Sequence, residues 1–195
     1  MRLKFRTLVI VLGMALLLGC QQGVDQYTKK SRTRAPGWTL TAASGELISF
    51  PAADGQPVLI LFWATWCPYC KALMPHIQSI LDEFPDSGLV VYAISFRDDG
   101  DPATVVAQQG FNFTVLPGGD AVAAAYGIKS TPGVLLVDAE GMTRFDLRDI
   151  QAHEAMQAVS TLNLSNSRKA ARKAPYYAAA VRKAVDQLLA DSSSP

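Results

Sequence analysis

A chain of 195 residues that is 49% hydrophobic and 18% charged can build one globular core with appendages, and is too apolar to be globally disordered. Its formal net charge is only +1, and the stretch Trp38 to Leu164 carries five basic against fourteen acidic side chains, net −9. That sign excludes nucleic acid as a natural partner, because phosphate contacts dominate such binding.

The N-terminus opens with Arg2, Lys4 and Arg6 and runs into the apolar segment Leu8 to Leu18. At about 1.5 Å per helical residue this segment reaches roughly 16 Å, short of a bilayer core of about 30 Å, so it predicts a signal peptide before a membrane helix. Leu17-Leu18-Gly19-Cys20 resembles the lipobox of bacterial lipoproteins, whose cysteine is diacylated and becomes the mature N-terminus. That resemblance gives the odd one of three cysteines a reason and implies a membrane anchor at Cys20. Gln21, where an aspartate would retain such a lipoprotein at the inner membrane, points to outer-membrane sorting. Residues 1–19 are therefore expected to be a lipoprotein signal peptide, and residues 20–37 the lipidated cysteine and a flexible tether, polar and basic at Lys29, Lys30, Arg32 and Arg34.

Trp38-Thr39-Leu40 and Glu46 to Phe50 alternate around Ser44-Gly45 as a short hairpin would. After the turn Asp54-Gly55, Val58 to Ala64 is a continuous apolar run, the pattern of a central strand covered on both faces. Trp66-Cys67-Pro68-Tyr69-Cys70 then opens a helix predicted from Pro68 to about Phe84, with a bend at Pro75, which has no N–H to donate. Leu89 to Ser95 reads as a strand, Asp101-Pro102 as the cap and first residue of a helix over Thr104–Gln109, Phe111 to Leu116 as a short strand, and Ala121–Tyr126 as a helix ended by Gly127. Val134–Val137 and Thr143–Leu147 predict a closing hairpin, and Gln151–Leu162 the last helix of the domain. Residues 165–195 form a basic tail, net +4, in which Pro175 marks a helix start. Its stripe Tyr177, Val181, Val185 and Leu188 reads as a helix docked on its own domain.

Two thiols separated by two residues can form a disulfide when their Cα atoms lie within about 7 Å, which the first turn of a helix provides. If Cys67 is the N-cap, its sulfur meets the free N–H groups of that turn and the positive end of the helix dipole, so its thiolate is favoured. Pro68 at the first helical position loses nothing by lacking an N–H. Cys70, one turn further in, is expected to be more buried and less reactive.

The run Leu61 to Lys71, with Met74-Pro75 after it, resembles the thioredoxin superfamily, and within it the membrane-tethered extracytoplasmic thiol-disulfide oxidoreductases of the TlpA/ResA/DsbE type. The resemblance covers about Trp38 to Leu164, the expected thioredoxin-like domain. It implies an α/β thioredoxin fold: a mixed sheet flanked by helices, with an N-terminal β-hairpin and a TlpA-type helix-strand insertion. It further implies that Ser130-Thr131-Pro132-Gly133 is the cis-proline loop opposite the cysteines, that Cys67 is the nucleophile and Cys70 the resolving thiol, and that their redox-active disulfide is the only redox group, with no other cofactor. Thr131 and Pro132 would present backbone to a bound chain, and Trp66, Pro68 and Tyr69 would line the substrate surface, whereas Trp63 reads as core. The implied activity is reduction of protein disulfides, including a role in cytochrome c maturation, with electrons from a membrane donor of the DsbD/CcdA type. The implied protein is a monomer on the periplasmic side of a bacterial membrane. A disulfide oxidase or isomerase, and a non-catalytic lipid-anchored scaffold, stay open as alternatives.

The chain departs from this pattern twice. Thioredoxins bury an acid six residues before the first cysteine, where Leu61 stands, and many TlpA-type proteins have a glutamate three residues after the second, where Leu73 stands. Water, Glu83 or Asp98 remain to take the proton of the buried thiol. His76 falls on the opposite side of the helix, two histidines and one cysteine pair do not make a zinc site, and Lys71 stands where haem attachment needs histidine, so no metal is expected.

Overall fold

A computed structural model describes residues 33–51, 54–150 and 154–192. Cys20, the signal-peptide segment and most of the tether lie outside these residues.

The apolar run after the Asp54-Gly55 turn forms β3 (Val58–Trp63), buried at all six positions. Such a strand is stable only with both faces covered, and it takes the middle of a five-stranded sheet. β4 (Val90–Ser95) and β5 (Thr114–Leu116) run parallel to it on one side, while β6 (Gly133–Val137) and β7 (Thr143–Asp146) continue the other side antiparallel. The register sets Leu61 beside Ala93 and Val134. Because side chains alternate along a strand, β3 feeds two cores. Leu59, Leu61 and Trp63 face one containing both cysteines; Val58, Ile60 and Phe62 face the other.

The first core lies under α1 (Pro68–Glu83), whose Cys70, Leu73, Met74, Ile77 and Ile80 recur at helical spacing on the buried side. Pro75 lies inside this helix on its exposed side. α2 (Pro102–Gln108) adds Val106 to the same core, and Asp101 caps it, accepting from the Thr104 amide at 3.0 Å. The second core is covered by α3 (Asp120–Ala125), through Val122 and Ala123, and by the hairpin of β1 (Trp38–Thr41) and β2 (Leu47–Phe50). Trp38 stacks on Phe50 with ring centroids 5.5 Å apart, and the Tyr126 hydroxyl donates to the Pro36 carbonyl at 2.8 Å. The mixed sheet, flanking helices, N-terminal hairpin and α2–β5 insertion agree with the expected thioredoxin-like architecture.

Three local expectations need correction. The strand expected from Phe111 is confined to Thr114–Leu116, because Phe111 and Phe113 stack on each other (5.1 Å) and the Phe111 amide bonds the Val106 carbonyl instead of a strand neighbour. The segment expected to supply the last domain helix holds α4 (Glu154–Thr161) among its described residues, but this helix is not the last. The helix that closes the α1 side is α5 (Asn166–Ser192), and Pro175 lies within it rather than at its start. Its first turn is held by Ser165, whose carbonyl accepts from the Lys169 amide. Ala178 lies in the core that α5 shares with α1, and Val181, Val185 and Leu188 fill it, each contributing about 1.5–3 kcal/mol by burial. Arg182 pairs with Glu83 across the contact. The stripe expected to dock on the chain's own domain therefore does so.

Candidate active site

The strand-to-helix turn after β3 delivers Cys67 to the N-cap of α1, with extended backbone (φ −83°, ψ 109°) and Pro68 at the first helical position. Its sulfur accepts the Cys70 amide at 3.2 Å, satisfying one of the donors that a helix start leaves free. Both cysteines are thiols in this structure. The Cys67 thiol is lowered to about 6, chiefly by a hydrogen bond from the Cys70 thiol. Burial opposes that shift, and the Thr131 hydroxyl and the amides of Cys70 and Tyr69 add to it. The Cys70 thiol is driven far above the ordinary range by burial first, then by its bond to Cys67 and the negative charge there. The Ala64 backbone and the Thr131 hydroxyl offset a part of this. The pair is thus one thiolate ready to attack and one thiol held in reserve.

Cys67 exposes only 2% of its surface, so an incoming sulfur must be guided to it by the rim. Trp66, at 58%, is the most exposed aromatic ring among the described residues, and its indole N–H is tied to the Arg97 carbonyl at 2.9 Å. Pro68 and Tyr69 are half-buried. The Thr131–Pro132 bond is cis, as the resemblance implies, and Thr131 and Pro132 are half-buried next to strand β6. A second cis bond, Phe50–Pro51, carries no sequence signal. Trp63 is wholly buried, in the core reading given to it.

Among the described residues, no carboxylate replaces the two missing acids. Leu61 and Leu73 have no exposed surface and lie in the cluster that contains both cysteines, so both positions are apolar and shielded from water. Glu83 is ruled out as a proton acceptor: it sits at the far end of α1, about 20 Å along the axis from Cys70, paired with Arg182. Asp98 is engaged elsewhere, its two carboxylate oxygens accepting the Thr65 amide (2.7 Å) and hydroxyl (2.5 Å). His76 is half-buried on α1, and among the described residues no three His, Cys, Asp or Glu side chains are gathered to hold a metal.

Sequence reasoning missed the contact of the Thr131 hydroxyl with the two sulfurs, since it assigned that residue only a backbone role. It also missed the Thr65–Asp98 and Trp66–Arg97 bonds, which join residues more than thirty positions apart and leave no local pattern.

The profile of the AhpC/TSA family matches residues 32–145. A protein named thiol-disulfide oxidoreductase ResA, from Bacillus thuringiensis, is 28% identical over 146 residues, covering 72% of this chain and 84% of that protein. The thioredoxin-like protein YneN of Bacillus subtilis is 30% identical over 113 residues, covering 56% and 66%. Among solved structures, the solution structure of a thiol:disulfide interchange protein from a Bacteroides species superposes with a TM-score of 0.52 at 26% identity, covering 60% of this chain and 80% of that one.

Proposed function

Because the chain belongs to the AhpC/TSA family and is a thiol-disulfide oxidoreductase of the thioredoxin type, we propose that it is an extracytoplasmic reductase of protein disulfides, held to a membrane through Cys20. The observation that carries this direction is the asymmetry of the two thiols. A nucleophile near 6 is closer to the thioredoxin end, about 7, than to the strongly oxidising DsbA end, about 3.5. Outer-membrane sorting after Gln21, the tether over residues 20–37, electron supply by a DsbD/CcdA-type membrane protein and service to cytochrome c maturation belong to the same reading and rest on the sequence resemblance. So does the monomeric state.

The chemistry follows from the site. The Cys67 thiolate attacks one sulfur of a substrate disulfide, forming a mixed disulfide and releasing the other substrate sulfur as a thiolate. Cys70 then loses its proton and attacks the Cys67 sulfur, closing Cys67–Cys70 and expelling the second substrate sulfur. Two electrons pass to the substrate, whose two sulfurs leave as thiols after taking up two protons. Substitution of Cys67 by substrate removes its negative charge, and with it one of the causes that hold the Cys70 proton. The Thr131 hydroxyl favours the thiolate form of both sulfurs. Trp66, Pro68, Tyr69 and the Thr131–Pro132 backbone form the surface on which the substrate chain lies.

The equilibrium reduction potential of Cys67–Cys70 in a dithiothreitol or glutathione buffer tests this reading. A value near the thioredoxin end, about −270 mV, is expected; one near about −120 mV would reassign the protein as an oxidase.

A further inference from the structure

The loop after β4 meets the turn before Cys67 at two successive residues on each side. Asp98 accepts the Thr65 amide and hydroxyl, and the Arg97 carbonyl accepts the Trp66 indole N–H. Arg97 is the only described non-glycine residue with positive φ (49°), a backbone state that side chains disfavour and that persists where surrounding contacts impose it. Those contacts are present: the Arg97 amide donates to Asp120 at 3.2 Å, and its guanidinium lies 5.8 Å from the centre of the Phe96 ring. The approach is too close for any side chain at Gly100, where a Cβ would fall 2.2 Å from the Thr65 hydroxyl oxygen. The Gly100 amide instead donates to Asp98. The result is a loop shaped to two residues, Thr65 and Trp66, that immediately precede the nucleophile.

We infer that Arg97-Asp98 is a strap that fixes the Trp66 indole as a rigid apolar lip beside Cys67, and that Asp98, acting through Thr65, is a positioning residue for capture of protein substrates. The inference rests on the reading of Trp66 as a substrate-contacting residue. A protein disulfide must lie along the rim to reach a sulfur that shows so little surface, and a lip already in place costs less ordering on binding than a mobile one. A small disulfide needs no such lip. The strap therefore governs KM for protein substrates and leaves the chemistry of the thiol pair largely alone.

The test uses the mature chain with dithiothreitol as reductant, insulin as the protein disulfide and hydroxyethyl disulfide as the small one. Asp98→Ala and Thr65→Val are each expected to raise KM for insulin about tenfold, with kcat, and turnover of the small disulfide, within about twofold. Thr65→Ser, which keeps the hydroxyl, is expected to restore KM. Combined with Trp66→Ala, Asp98→Ala should add little, because both act through the same indole. If Trp66→Ala itself leaves the insulin KM unmoved, the rim reading fails and the strap with it. If Trp66→Ala raises KM while Asp98→Ala and Thr65→Val do not, the strap alone fails. Equal losses on both disulfides, or additive effects in the double variant, would also overturn it, by showing that the loop supports the fold instead of the lip. Should Asp98→Ala not fold, Thr65→Val reads the same bond without disturbing a charge.

Discussion

Replacing Cys70 by alanine removes the largest contributor to the low pKa of Cys67, the S–H donated from the resolving thiol. What remains is the Thr131 hydroxyl and the two amides of the first helical turn, opposed by burial. A hydrogen bond to a charged acceptor is worth about 1.5–3 kcal/mol, which at about 1.36 kcal/mol per pKa unit is roughly one to two units. Cys67 in Cys70→Ala is therefore expected to titrate at roughly 7–8, between its value of about 6 in the intact pair and the ordinary 9.0. Thiolate absorbance in the far ultraviolet and the pH dependence of iodoacetamide alkylation both read this directly, and the variant has a single thiol in the folded domain to report. A pKa still near 6 would refute the reasoning, since the helix terminus and Thr131 would then suffice. A value at or above that of a free thiol would refute it from the other side, because burial would be outweighing every donor left.

The same asymmetry has a stability signature in the reduced protein. Cys67 is ionised in the folded state above about 6 but in the unfolded state only above about 9, so between these values unfolding takes up a proton and stability rises with pH. That contribution is complete above 9 and is lost as pH falls through 6; Cys70, shifted upward, begins to act in the opposite sense above 9. The gap in Tm between reduced wild type and Cys67→Ser should widen from pH 6 to pH 9, and parallel curves would contradict the assignment. Ending the chain after Leu164 removes α5, with the fully buried Val181 and Val185 and the nearly buried Leu188. At about 1.5–3 kcal/mol each, these side chains alone rival the total stability of a small domain, about 5–15 kcal/mol, so the shortened chain should show no cooperative thermal transition.

The parts of the fold legible in the sequence were those written in local patterns. Val58–Trp63 is apolar at every position because both faces are covered, and Cys67-Pro68 reads as a cap and first helical residue because few other pairs suit those places so well. The role of α5 was harder to read. Its basic residues and Pro175 gave it the composition of a tail, while the apolar stripe that makes it a core helix is narrow and partly made of alanines. Leu61 and Leu73 stood out as departures from a pattern, and the structure adds that both are buried in the cysteine cluster, where no described acid takes their place. The strap could not be read at all. The positive φ of Arg97 and the bonds of Asp98 to Thr65 arise only when β3 and β4 lie side by side and bring the ends of two strands together.

Closure of the catalytic helix by the last helix also fixes when the protein becomes reactive in its own sense. Glu83 and Arg182, which join α1 to α5, are 99 positions apart, and a ribosome delivers α1 long before its cover. Ala178, Val181 and Val185 belong to the same buried cluster as Cys70, so a chain lacking them leaves that cluster open on the α5 side. The burial that separates the two thiols is thus a property of the finished chain. A chain ended before α5 would lose part of the burial that raises Cys70, and with it part of the difference in acidity between the two thiols.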